Sequence, residues 1–197
     1  MSLDPIDPRS SALLLMDFQN DILANNLSPE QSAAVLDHAQ TLLAAARGKG
    51  MPVIHVVVCF RPGHPEVAAS NRLFSRIKAA NMLVAGTDGA AIHPRLQPTG
   101  SEPVVSKRRV GAFAETDMQP LLRAMGVQTL VLGGVATSGV VLSTVRQAFD
   151  HDFRLVVAAD CCADADAEVH RVLLEKVLAR QADVVDTAEV VAALQAA

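Results

Sequence analysis

The chain has 197 residues, enough for one domain with a single substantial core. Half of the residues are apolar and 19% are charged, which excludes a disordered chain, and a net charge of −4 excludes the electrostatic footprint of a nucleic-acid or anionic-membrane binder. Aromatic residues make up 3%, with no Trp or Tyr, so the core falls to Val, Leu, Ile, Ala and Met. The polar, proline-containing start at residues 1–10 is unlike a signal peptide, and no window reaches the ~20 apolar residues of a membrane span.

Short apolar runs alternate with helical patterns along the chain. The first predicted strand is Ala12–Met16, followed by a helix announced by Ser28-Pro29-Glu30-Gln31. That segment offers an N-cap, a proline at the first helical position and a Gln placed for a capping box. Val35, Leu36, Ala39, Leu42, Leu43 and Ala46 form its apolar stripe, and residues 47–50 (Arg-Gly-Lys-Gly) close it. A second strand is expected over Val53–Val58, then a long irregular stretch, Arg61–Pro98, with a short helix near Glu66–Ala80. A third strand, Pro103–Ser106, leads to a helix with a second capping box at Thr116-Asp117-Met118-Gln119 and a stop at Gly126. Strands at Thr129–Leu132, Leu155–Ala159 and Asp183–Val185 follow. Between the last two lies a helix with acidic residues early, basic residues late, and an inward stripe of Val169, Leu173, Val177 and Leu178.

Continuous apolar strands alternating with helices predict a parallel sheet covered on both faces. The expected fold is therefore a three-layer α/β/α, Rossmann-like domain over residues 1–197, with a doubly wound sheet of roughly six strands. Ligands in such sheets bind beyond the carboxyl ends of the strands. The polar residues expected there are Asp17 after the first strand, with Gln19, Asn20 and Asp21 following, and Lys107 after the third. Gly133–Gly139 follows the fourth strand and Asp160 ends the fifth. A carboxylate and an ammonium in one poorly solvated crevice tune each other as an acid–base pair, although an ordinary strand-end ion pair has the same signature. The glycine-rich turn suits amides aimed at an anion, or a plain loop; its spacing fits neither a phosphate loop nor a dinucleotide fingerprint. The six histidines, His38, His55, His64, His93, His151 and His170, lack metal-ligand spacing, so neither a metal nor another cofactor is expected. Cys59, Cys161 and Cys162 read as reduced thiols, in keeping with a cytoplasmic protein.

Residues 13–21, LLLMDFQND, resemble the opening of the isochorismatase-like (cysteine hydrolase) superfamily, a buried strand followed by Asp-x-Gln. Lys107 with residues 111–116, GAFAET, and residues 134–137, GVAT, match the next two signatures in order and spacing, and the resemblance covers residues 10 to 188. It implies a hydrolase, self-association as a homodimer or larger assembly, a small-molecule substrate, and a non-proline cis peptide at Val135–Ala136. It also implies Asp17 and Lys107 as catalytic residues and Gln19, Phe113, Ala136, Gly139 and Val140 around the substrate. Arg61 and Arg72, on the loop after the second strand, are candidates for binding substrate carboxylates, or simply surface arginines.

In the amidase branch the third motif continues to a nucleophilic Cys; the position matching it here is Val140. The metal site of that branch is matched only by residues 59–65, CFRPGHP, which lack its Asp-x-His pattern. The isochorismatase branch proper needs no cysteine, because an aspartate resembling Asp17 acts as general acid on a vinyl ether. Acid hydrolysis by Asp17 and Lys107 is therefore the leading expectation. A displaced thiol from Cys59 or Cys162, and a non-catalytic binding protein on the same fold, stay open beside it.

Overall fold

The structure is a computed structural model that describes residues 3–196. Six strands form one parallel sheet: β1 (Ser11–Met16), β2 (Val53–Val58), β3 (Val104–Lys107), β4 (Thr129–Val135), β5 (Arg154–Ala163) and β6 (Asp183–Val185), in the order β3-β2-β1-β4-β5-β6. The connection direction reverses between β1 and β4, so a crevice opens beyond their carboxyl ends.

Side-chain alternation divides the core in two. Leu13 and Leu15 of β1, with Val131 and Val156, pack against α1 (Asn20–Asn26), α2 (Pro29–Gly48) and α7 (Thr187–Gln195). Ala12, Leu14 and Met16 turn to the other face with Ile54, Leu132 and Val157. There they meet α4 (Met118–Ala124), α5 (Leu142–Phe149) and the segment that begins with α6 (Ala167–Val172). Every residue of β1, β2 and β4 is buried, which is why their sequences run apolar without alternation.

The expected elements are all present, with four differences of detail. The helix after β2, α3, is confined to Arg72–Ala79, because Asn71 caps Phe74 N–H from its side chain at 3.1 Å and starts the helix there. The box at Ser28–Gln31 forms in both directions, whereas the one expected at Thr116–Gln119 does not. Thr116 Oγ1 donates to Ala112 O instead, and Gln119 turns to His151. Asp160 does not end strand β5, because past an irregularity opposite Leu132–Gly134 the residues Cys162 and Ala163 pair with Gly134 and Val135 of β4 and carry the strand on to Ala163. Lastly, Leu174 and Leu178 are the buried residues of the helical segment after β5, while Val169 is 38% exposed. Leu178 of the expected stripe is buried and Leu173 and Val177 are half-buried; within the π-helical turn Leu173–Val177 it is Leu174 that turns inward.

Candidate active site

Asp17 is the first residue beyond β1. Its backbone leaves the sheet in the left-handed region, φ 61°, which Asp tolerates better than most residues. Lys107 is the last residue of β3, two strands away, and its stem is wholly covered. The two meet: Lys107 Nζ donates to Asp17 Oδ2 at 2.8 Å and to Arg109 O at 3.3 Å. Both side chains are nearly inaccessible, 6% for Asp17 and 1% for Lys107. An ammonium has three N–H donors, so one is left for another acceptor. Asp17 Oδ1 is buried with no hydrogen-bond partner among the described residues.

Burial pushes the Asp17 carboxyl up from the ordinary carboxylate range; the charge and hydrogen bond of Lys107 oppose this without cancelling it. A carboxyl whose proton affinity is raised, on a residue that lines a cavity and with one oxygen left without a partner among the described residues, has the properties of a proton donor.

That cavity has a volume of about 740 Å³. Asp17, Lys107, Val58 and Val135 form its floor at the strand ends. Ala136, Ser138, Gly139, Val140 and Ser143 form one wall, and Leu73, Phe74, Arg76 and Ile77 of α3 another. The peptide Val135–Ala136 is cis. Just before it, a side chain at Gly134 would stand 2.8 Å from Met16 O, so only glycine lets β4 approach β1 this closely beside Asp17.

Of the residues expected around the substrate, Ala136, Gly139 and Val140 line the cavity with Asp17 and Lys107. The others lie elsewhere. Gln19 is fully buried, donating to Val58 O and Ala90 O at 2.8 and 2.7 Å and accepting from Val58 N–H. With Asn20, which donates to Asp88 O, and Asp21, which accepts from Leu83 N–H, it pins the long loop that closes the cavity. Phe113 packs against His151 and Phe153. Arg61 pairs with Glu66 at 2.6 Å in solvent, and Arg72, the first residue of α3, is exposed outside the lining.

Arg76, one turn after Arg72, does line the cavity, and it forms no ion pair among the described residues. The sequence carried a signal for it: Leu73, Arg76 and Ile77 share one helix face, so an arginine interrupts an apolar stripe. Ser138 and Ser143 gave no comparable signal.

None of the three cysteines lines the cavity. Cys161 and Cys162 lie in opposite cores, and Cys161 Sγ is 3.3 Å from Thr187 Oγ1. Burial pushes the Cys161 thiol far up and the Cys162 thiol up to about 12. Among the described residues no three His, Cys, Asp or Glu side chains converge as metal ligands would, and no helix is long and apolar enough to cross a membrane. His64 is buried and bonded to Met82 O.

The fold is a doubly wound α/β sheet with a buried Asp17–Lys107 salt bridge beyond the ends of its strands. A model of the isochorismatase domain matches residues 11–189, and the chain belongs to that family of hydrolases. It is 33% identical over 180 residues to a maleamate amidohydrolase of Pseudomonas putida, covering 90% of this chain and 83% of that one. It is 30% identical over 192 residues to a ureidoacrylate amidohydrolase of Methylobacterium radiotolerans, covering 87% and 74%. An isochorismatase family protein from Burkholderia thailandensis superposes with a TM-score of 0.85 at 26% identity, over 98% of this chain and 100% of that one.

Proposed function

We propose that this protein is a hydrolase that works without a nucleophilic cysteine, with Asp17 as general acid, on a small carboxylated molecule containing an acid-labile bond of the vinyl-ether type. The observation that carries the reading is that Asp17 lines the cavity with its buried Oδ1 unpartnered among the described residues, on a carboxyl that burial holds above its usual range. At the first turn of the helix after β4, the wall residue is Val140, whose side chain cannot attack a carbonyl. Cys161 and Cys162 are thiols at neutral pH rather than thiolates, and Cys59 stands outside the cavity, so no displaced nucleophile is at hand.

In this mechanism Asp17 gives its proton to the terminal carbon of the enol ether, and the carbon bearing the ether oxygen becomes an oxocarbenium. Lys107 holds the aspartate in place and keeps one N–H for the substrate. Water adds to the cation and returns a proton to Asp17. The hemiketal then collapses to a carbonyl compound and an alcohol. Arg76, which lines the cavity and forms no ion pair among the described residues, holds the substrate carboxylate. Both named relatives act on carboxylates, which supports an anionic substrate and favours amide hydrolysis as the second reading.

The test is turnover of isochorismate, a vinyl ether, beside maleamate, an amide, by untreated and iodoacetamide-treated protein. Isochorismate hydrolysis that survives alkylation is the expected outcome. Activity abolished by alkylation on either compound overturns the cysteine-free mechanism, and maleamate turnover alone replaces the vinyl-ether reading with the amidase one.

A further inference from the structure

One wall of the cavity is carried by a turn that its own sequence does not hold. The helical turn Thr137–Val141 begins after Ala136, which stands at the capping position and has no side-chain acceptor for the free N–H groups there. The missing partner comes from beyond β5. Asp164 Oδ2 accepts the backbone N–H of Ser138 at 2.7 Å, and Thr137 Oγ1 is hydrogen-bonded to His170 Nδ1 at 2.8 Å. Asp164 is 8% exposed, its other oxygen is 3.5 Å from Asp166 N, and it does not touch the cavity.

We infer that Asp164 is a positioning residue for the active site, capping in trans the turn that presents Ala136, Ser138, Gly139 and Val140. Its carboxylate satisfies an N–H that Ala136 leaves open, at the helix end where negative charge is favoured. The turn is in register with the acid. A side chain at Gly134 would lie 3.0 Å from Met16 Cβ and 3.3 Å from Val140 Cγ1, so β4, Val140 and the residue preceding Asp17 meet at one point. A turn released from Asp164 therefore moves the wall against which substrate is pressed toward Asp17. The binding arginine, Arg76, sits on a different wall and keeps its place. Loss of Asp164 thus acts on the chemical step more than on binding.

The effect on turnover rests on the function proposed above; the cap itself does not. The experiment compares wild type, Asp164→Ala and Asp164→Asn, whose amide oxygen still accepts the Ser138 N–H. Hydrogen exchange at the Ser138 amide should speed up about tenfold or more in Asp164→Ala, with β1 and β2 amides unchanged, and return toward wild type in Asp164→Asn. In the isochorismate assay kcat should fall about tenfold in Asp164→Ala with KM changed less than about twofold, and recover in Asp164→Asn. Titration of the Asp17 carboxyl carbon by NMR, which needs no substrate, should shift in Asp164→Ala and recover in Asp164→Asn. Unchanged Ser138 exchange, or faster exchange with an unmoved Asp17 titration, overturns the proposal. Inactive wild type with the expected exchange and titration changes counts against the proposed reaction and leaves the positioning role standing.

Discussion

The proposed chemistry rests on the proton affinity of one buried carboxyl, that of Asp17. Asp17 pays for its burial with a raised proton affinity, and Lys107 limits the rise without reversing it. Replacing Asp17 by Asn keeps an acceptor for Lys107 and removes the transferable proton. Steady-state kinetics on the vinyl-ether probe should therefore show a kcat loss of about 10²–10⁴-fold with the fold intact by circular dichroism. Arg76 is separable from this pair. Arg76→Gln should raise KM about 10–100-fold, as for a lost charge-assisted hydrogen bond, and leave kcat near wild type; a kcat loss at unchanged KM would remove Arg76 from substrate binding.

At the scale of elements, the long stretch between β2 and β3 is held by polar clamps rather than by its own regular structure. Gln19, Asn20 and Asp21 grip its middle, and His64 is bonded to Met82 O. Its end is tied to α2 and β2 by Glu102, which accepts from Arg47 at 2.7 and 2.8 Å and from Thr99 N–H, and lies 3.1 Å from His55 Nε2. The hydrogen bonds of Arg47, chief among these contacts, pull the Glu102 carboxyl down to about 2. A depressed carboxyl stabilises the fold above its unfolded value near 4.5, and that contribution is lost as pH falls toward 2. Burial lowers the proton affinity of His55, which opposes acid in the same direction. Denaturant melts should show Glu102→Gln about 2 kcal/mol less stable at pH 7, with the difference shrinking as pH falls from 4.5 to 2. The displaced carboxyl alone implies about 3 kcal/mol, discounted because Arg47 is about one-third exposed. A difference independent of pH would show that Glu102 contributes packing only.

For the whole molecule, the architecture was legible because apolar runs of strand length recur between capped helices, and because Asp17 and Lys107 interrupt such runs with charge. The strand-end rule then brings both to one crevice. The resemblance implies Gln19 as a substrate contact; its side chain is bonded to Val58 and Ala90, which approach it only in the folded chain. The sequence points to Arg72, but the cap at Asn71 sets the start of α3 and so leaves Arg72 outside the cavity lining and Arg76, one turn later, within it. The trans cap from Asp164 left no local trace, since donor and acceptor are 26 residues apart.

The pH dependence of kcat on the vinyl-ether probe tests the central claim most directly. A general acid works while protonated, so the rate should hold a plateau at low pH and fall as pH rises through the elevated pKa of Asp17, and the fall should vanish in Asp17→Asn. A rate that climbs with pH, as a thiolate or a carboxylate base would produce, contradicts the account.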